Sequence, residues 1–296
     1  MDVSIIIVNY NTKQLLADCV KSVYANTFDI NFEVIIVDNA SIDGSTEYIK
    51  SNFPNVVLIE SKTNLGFGKA NNLGVEYSKG EFLFLLNSDT ILLNNAVFEL
   101  LYFFRSNKNL NIGCLGGVLL DKEGKSNHSS ESFPSKSRIL FEYVNNYSCN
   151  TFKSPYKREK REFAYDDYFE VDYITGADLF LLKDLFLKID GFDPVFFMYY
   201  EESDLQKQIS KLGLKQFLIK GPKIIHLEGA SVSEAAFSAK KRIMYHDGMF
   251  KYFKKNSVKV NYYIFRLLLF IVRVPILFDK RISYKERSQY LYSLMR

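Results

Sequence analysis

The chain has 296 residues, 47% of them hydrophobic and 24% charged, a globular balance that argues against disorder and leaves room for one large α/β domain plus an appendage. Its three cysteines, Cys19, Cys114 and Cys149, show no CxxC spacing and no paired framework, which argues against a disulfide scaffold or a structural zinc and suits a reducing cytosol. The net charge of +4 conceals an asymmetry: residues 233–296 carry 14 Lys/Arg against 4 Asp/Glu, and the remainder 24 against 30, so a basic tail on an acidic body calls for an anionic partner, membrane lipid or nucleic acid.

The opening run VSIIIV at 3–8 is continuous and apolar, the pattern of a buried parallel strand. With Asp2 before it and no basic flank, it does not read as a secretory leader. Asn11 and Thr12 can cap a helix whose apolar face is Leu15, Leu16, Cys19, Val20, Val23 and Tyr24. A second strand is expected at 33–37, a short helix from about Ser45, a third strand at 56–60, a helix at 67–79 closed by Lys79-Gly80, and a fourth strand at 81–86. Strands alternating with helices at this spacing predict a parallel, doubly wound sheet. Ligands in such sheets bind beyond the carboxyl ends of the strands. Residues 112–120 are apolar, 125–168 read as a long loop with partial helices, and 170–182 return to strand pattern. A helix over 201–213 precedes two short strands at 215–219 and 223–227. In the tail, 234–255 reads as a helix and 260–278 is strongly apolar, but Arg266 and Arg273, seven residues apart, share one helix face and Pro275 breaks the end. That segment is expected to lie in a membrane interface or to pack on the body rather than to span a bilayer.

The polar residues after the strands are the candidates for chemistry. Asp38 can accept hydrogen bonds from a nucleotide base or ribose, or simply start a turn. The stretch Asn64-Leu-Gly-Phe-Gly-Lys-Ala-Asn-Asn72 has glycines that admit a ligand close to the backbone, yet it follows the third strand, whereas a dinucleotide fingerprint follows the first. Asp89, in Asn87-Ser88-Asp89, is a hard-oxygen metal ligand or a helix cap. His226 is a ligand or a structural histidine. Glu201, Glu202 and Asp204 open a helix and either stabilise its dipole or supply a general base.

Taken in order, Val8-Asn-Tyr-Asn11, Asp38-Asn-Ala-Ser41, Asn64-x-Gly, Asn87-x-Asp89, Thr175-Gly-Ala177, Glu201-Glu202-x-Asp204-Leu205 and His226-x-x-Gly-x-Ser231 resemble glycosyltransferase family 2 over about residues 3–231, and most of all its rhamnosyltransferase-like branch of bacterial polysaccharide synthesis. The resemblance implies a GT-A (Rossmann-like) nucleotide-sugar-binding sheet with helices on both faces. The catalytic domain would span 1–231, followed by a basic, amphipathic helical region at 232–296. It implies an inverting, metal-dependent transfer of a sugar, rhamnose among the options, from a dTDP- or UDP-sugar to a hydroxyl of a glycan or lipid-linked acceptor. Val8, Tyr10 and Asp38 would hold base and ribose, with Asn71 beside base or phosphates and Asn87 in the same nucleotide site. Asp89 and His226 would hold Mg²⁺ or Mn²⁺. Gly176, Ala177, Asp178 and Glu201 would line the sugar and acceptor region, and Glu202 takes the base position. Two departures stand out: the DxD-like element has lost its first carboxylate to Asn87, and the base, often Asp, is Glu.

Two rivals keep the same sheet. A sugar nucleotidyltransferase wants a Gly-rich basic loop after the first strand, where this chain has Asn9-Tyr-Asn-Thr-Lys13. Against a non-catalytic nucleotide-sugar-binding protein that keeps the fold, the chain retains Asp38, Asp89, Glu202 and His226. With an acidic body and no nucleic-acid motif, the basic tail predicts peripheral contact with anionic lipid on the cytoplasmic face of the membrane and no nucleic-acid partner.

Overall fold

The computed structural model describes residues 1–147, 151–155, 167–227, 239–278 and 282–295. Gly229 and Ser231 of the last motif, and the boundary expected at 231, lie outside the described residues.

The chain opens β1 (Val3–Asn9), α1 (Lys13–Asn26), β2 (Phe32–Asp38), α2 (Ser45–Asn52), β3 (Val57–Glu60), α3 (Phe67–Glu76) and β4 (Phe82–Asn87). β1 pairs in parallel with β2 and β4, and β2 with β3, as the alternation predicts. There follow β5 (Thr90–Leu92), α4 (Ala96–Ser106), β6 (Ile112–Leu120), β7 (Ser130–Glu131), α5 (Lys136–Tyr147), β8 (Tyr168–Val171), β9 (Tyr173–Ile174), β10 (Asp178–Leu182), α6 (Lys183–Lys188), α7 (Glu201–Lys211) and β11 (Lys215–His226). The tail forms α8 (Ala239–Asn256), α9 (Lys259–Arg273), which runs on into a 3-10 turn at Val274–Phe278, and α10 (Tyr284–Met295).

The main sheet has nine strands in the order β3-β2-β1-β4-β10-β6-β11-β5, with β8 also on β11. It is mixed rather than wholly parallel: β10 lies antiparallel between β4 and β6, and β5 and β8 run antiparallel to β11. The two short strands expected at 215–219 and 223–227 are one strand, β11. Its register on β6 jumps between Ile219 and Lys223, where Gly221-Pro222 interrupts the ladder because proline has no N–H to donate. A separate two-stranded ribbon pairs β7 with β9.

Period-two alternation sorts the core into two layers. Val3, Ile5, Ile7, Val34, Ile36, Phe82 and Phe84 face one side, with Leu16, Val20 and Val23 of α1 and Val97 and Leu100 of α4. Ile6, Ile35, Leu83, Leu85, Leu179 and Leu181 face the other, with Val75 of α3, Phe186 of α6 and Leu205 and Ile209 of α7.

By its contacts the described chain divides into two compact units. The first comprises 1–132, 167–197 and 201–227; the second gathers 133–147, 151–155, 198–200, 239–278 and 282–295. The second unit has an aromatic and cationic heart. His246 sits with its Nε2 3.0 Å from the Tyr143 hydroxyl and its Nδ1 2.8 Å from the Arg242 carbonyl. Burial pushes its pKa down to about 4, so the ring is neutral at pH 7, with Nδ1 donating to the carbonyl and Nε2 accepting. The Arg273 guanidinium donates from Nε to the Tyr290 hydroxyl at 2.7 Å and lies 4.4 Å over the Tyr143 ring.

The helix expected to close at Lys79-Gly80 ends at Glu76, and Gly80 serves a different purpose. Its N–H donates to Ser4 Oγ at 2.8 Å, and a Cβ there would lie 2.4 Å from the Ser4 nitrogen and 2.7 Å from the Val3 carbonyl carbon. Both are backbone atoms of a central strand and cannot give way. Gly80→Ala is therefore expected to destabilise the protein by about 1–3 kcal/mol, the ordinary cost of overpacking, as read by thermal or urea denaturation.

Candidate active site

Parallel register brings the strand ends together: Asn9 lies opposite Asp38, and Val8 opposite Asn87. Asn9 Nδ2 donates to Asp38 Oδ1 at 2.7 Å and to Ser41 Oγ at 3.0 Å. The Ser41 N–H donates to Asp38 Oδ2 at 2.9 Å. Asp38 is buried and each of its oxygens accepts one bond, so it holds the loop after β2 in shape. Val8 is half-buried beside it, and Tyr10 stands exposed at the rim. Thr12 does not cap α1 with its side chain. Its hydroxyl donates to Asn9 Oδ1 at 2.7 Å and meets Ser88 Oγ at 3.0 Å, tying the β1 end to the β4 end. Asn9, Ser41 and Ser88 are among the polar residues after the strands that the sequence marks as candidates, and Thr12, which the sequence offers as a helix cap, joins them. Their signal was position: each stands within three residues of a strand's carboxyl end.

The glycines of the stretch from Asn64 are required by protein packing. Gly66 has φ +82°, and a Cβ there would fall 2.1 Å from the Phe197 carbonyl oxygen; at Gly68 it would fall 2.9 Å from Phe192 Cβ. Asn39 clamps this loop, accepting from the Leu65 N–H at 2.8 Å and donating to the Gly66 carbonyl at 3.2 Å. Asn71 is buried on α3 and donates to the Phe67 carbonyl at 3.1 Å.

Asp89 and His226 are far apart in sequence but meet through the β5–β11 pairing, which sets His226 opposite Thr90. His226 Nε2 lies 3.4 Å from Asp89 Oδ1. Among the described residues no third His, Cys, Asp or Glu joins them in a metal-sized cluster.

The segment Gly176–Asp178 connects this pair to the acids of α7. The Asn87 N–H donates to the Ala177 carbonyl at 3.0 Å. A Cβ at Gly176 would lie 3.6 Å from both Glu202 Cβ and the Phe67 ring, so Gly176 borders that side chain directly. Asp178 departs from its expected place lining the acceptor region. Its side chain is fully buried, one oxygen accepting the Gly117 N–H at 2.6 Å, the other without a partner. Burial raises its pKa well above the ordinary carboxylate range.

Glu201 and Glu202 open α7, and Oε2 of each is buried without a hydrogen-bond partner. Gln206, one turn on, is fixed by Ile174: its Oε1 accepts the Ile174 N–H at 2.8 Å and its Nε2 donates to the Ile174 carbonyl at 2.7 Å. This bidentate clamp locks the helix against β9. Burial raises both glutamate pKa values. That of Glu201 rises further, from deeper burial and from the charge on Glu202. Two adjacent acids in such a site resist ionising together. Glu201 is buried and Glu202 half-buried, so ionisation of the pair is easier at Glu202 than at Glu201. Tyr199 and Tyr200, immediately before them, both hold left-handed backbone with φ of 68° and 71°. Such strain, about 1–3 kcal/mol for each bulky residue, is invisible in sequence pattern.

A model of glycosyl transferase family 2 matches residues 4–185. Over 206 residues the chain is 25% identical to the N-acetylglucosaminyl-diphospho-decaprenol L-rhamnosyltransferase of Mycobacterium tuberculosis, covering 65% of this chain and 66% of that one. Over 124 residues it is 31% identical to the poly(ribitol-phosphate) beta-glucosyltransferase of Bacillus spizizenii, covering 40% of this chain and 20% of the other. Thus the chain spans just under two thirds of the first relative's length and a fifth of the second's. In structure it is similar to GalNAc-T7 with UDP, GalNAc and Mn²⁺, with a TM-score of 0.56 and 17% identity over 77% of this chain and 45% of that one. It is also similar to S. aureus TarS, with a TM-score of 0.51 and 15% identity over 100% of this chain and 43% of the other.

The glutamate pair has a consequence for stability. Both folded-state pKa values are raised, so between the unfolded and folded values the native state binds more protons than the unfolded chain. The pair therefore costs stability as pH rises above the ordinary carboxyl range. Glu201→Gln is expected to raise the melting temperature at pH 8 by about 2–4 °C, the shift that 1 kcal/mol brings in a domain of this size. The gain should shrink as pH falls toward the ordinary carboxyl range, where the glutamate of the unfolded chain is protonated too. Melts of both proteins across that range check it.

Proposed function

Because the chain belongs to glycosyl transferase family 2, we propose that it transfers a sugar from a dTDP- or UDP-linked donor to a hydroxyl acceptor with inversion, Glu202 acting as the base. The observation that carries this reading is the Glu202 carboxylate itself, one oxygen sealed and unpartnered, on a side chain that packs beside Gly176 and Phe67. In this mechanism the acceptor hydroxyl oxygen forms a bond to the anomeric carbon as the bond from that carbon to the diphosphate oxygen breaks. Glu202 takes the hydroxyl proton, and the nucleoside diphosphate leaves with the bonding pair. A raised pKa suits a base that must take up a proton near neutral pH. Burial and the charge on Glu202 both disfavour the ionised form of Glu201, so it is a poor second carboxylate nucleophile, which favours a single displacement over a covalent intermediate.

In the same reading the donor's base and ribose lie at the ends of β1 and β2 against Val8, Tyr10 and the Asp38 loop, with Asn71 and Asn87 nearer the phosphates. Asp89 and His226 offer one carboxylate oxygen and one imidazole nitrogen. A hard divalent ion on a nucleotide takes one or two protein ligands and completes its shell with phosphate and water oxygens, so this pair fits Mg²⁺ or Mn²⁺. When bound, the ion would offset charge on the departing diphosphate. Mn²⁺ and UDP accompany the structurally similar GalNAc-T7, which supports this assignment. Rhamnose as the sugar and a lipid-linked glycan as the acceptor follow the name of the mycobacterial relative.

Glu202→Gln is expected to lower transfer by roughly 10²–10⁴-fold while donor affinity stays nearly unchanged. Glu201→Gln should keep most of the activity; the opposite pattern would move the base to Glu201. Donor hydrolysis with and without Mn²⁺ separates an enzyme from a sheet that merely binds nucleotide sugars. A second expectation concerns Asp38, whose removal frees Asn9 and the Ser41 N–H. Asp38→Ala should weaken UDP or dTDP binding by about 1–3 kcal/mol in titration calorimetry, and unchanged affinity for both nucleotides would remove Asp38 from the site.

A further inference from the structure

Helix α9 is inverted for a helix bounded by water. The residues it buries are Tyr262, Phe265, Leu269 and Arg273. Its second arginine, Arg266, is half-buried, stacked 4.6 Å over Phe250 and donating to the Leu294 carbonyl at 2.9 Å. Both arginines of the helix are thus turned into the second unit and satisfied there. The opposite face carries Val260, Ile264, Leu267 and Ile271, which are 52–64% exposed. At 100° per residue these four fall within about 60° of one another, a continuous aliphatic stripe. Tyr263 and Leu268 flank it, and Phe278 beyond the helix is 78% exposed. An exposed stripe of this kind marks a surface that water does not normally cover.

We propose that α9 docks this stripe into the surface of an anionic lipid bilayer, lying in the interface plane with its other face packed in the protein. Charge selects the occupant. Residues 233–296 carry 14 basic against 4 acidic side chains, and Lys254, Lys255 and Lys259 are exposed at the entrance to α9. A second copy of the chain would bring the same positive charge to the contact, whereas an anionic bilayer offers its complement. The segment Lys259–Phe278 has the length and composition to cross a membrane. Yet α9 packs against α5, α8 and α10, and its inward face holds two arginines, so only one side is available to acyl chains, as in interfacial helices.

The test uses the full-length protein and vesicles of phosphatidylcholine with or without phosphatidylglycerol, read by co-sedimentation at low and high salt. The native chain should sediment with the anionic vesicles at low salt, and salt should weaken this. Leu267→Glu with Ile271→Glu, both at exposed positions, should lower the partition coefficient roughly tenfold or more while circular dichroism and UDP binding stay unchanged. Native protein remaining in the supernatant overturns the proposal, as does a double variant that sediments like the native chain. So does a dimer seen without vesicles that the double variant converts to monomer, since a second copy would then be the occupant. The readout is lipid binding alone, so it stands or falls separately from the proposed reaction.

Discussion

Parallel pairing of β1 with β2 on one side and β4 on the other is the constraint from which the candidate site follows. It places Asn9, Asp38 and Asn87 at one edge of the sheet in a fixed register. A slip of one residue would turn every side chain of β1 to the opposite layer, exchanging Ile5 and Ile7 with Ile6 between two sealed cores. The hydrophobic layers therefore enforce the polar geometry: the strand ends meet because the strand middles have no other way to pack. From that edge a chain of contacts runs outward. Asp38 joins Asn9, Asn9 joins Thr12, and Thr12 meets Ser88. Next to Ser88, Asp89 approaches His226 and Asn87 donates to Ala177, and Gly176 then borders Glu202.

The same arrangement explains how an acid pair so costly to bury is tolerated. An unpartnered buried carboxylate is a desolvation cost with no return from a hydrogen bond. It persists only where the surroundings are over-determined. Here Gln206 fixes α7 to both backbone groups of Ile174, and the N-terminus of α7 adds the favourable end of its dipole. The helix start is held by backbone and amide bonds that do not depend on the glutamates, which leaves the carboxylates available to something outside the fold.

The parallel half of the sheet was legible because its strands are continuous apolar runs between recognisable helices. The other half was not. A buried antiparallel strand such as β10 has the same composition as a parallel one, and only pairing distinguishes them. Among the polar residues, Asp38, Asp89, Glu202 and His226 stood out because their types recur in chemistry. Thr12 and Gln206 did not, since the sequence offers each a local role as cap or helix surface, and the bonds that place them, Thr12 to Ser88 and Gln206 to Ile174, join residues 76 and 32 apart in the chain. Gly66 was legible as special, but its packing role was not. Its left-handed φ and its contact with the Phe197 carbonyl are tertiary facts, and a glycine required by packing is spelled like one required by a ligand.

Helix α9 carries the same lesson in another form. Periodicity shows that Arg266 and Arg273 share a face with one another and oppose the aliphatic stripe, but it cannot say which face is inside. Aqueous convention would put the leucines in and the arginines out. The aromatic ring set of the second unit reverses it, because Tyr143, Tyr290 and Phe250 supply stacking faces, and Tyr290 a hydroxyl acceptor, that satisfy guanidinium groups and would gain little from leucine. Once the arginines are drawn inward by rings, the stripe has only the outside left to it. The composition of one buried cluster thereby decides what kind of surface the helix presents.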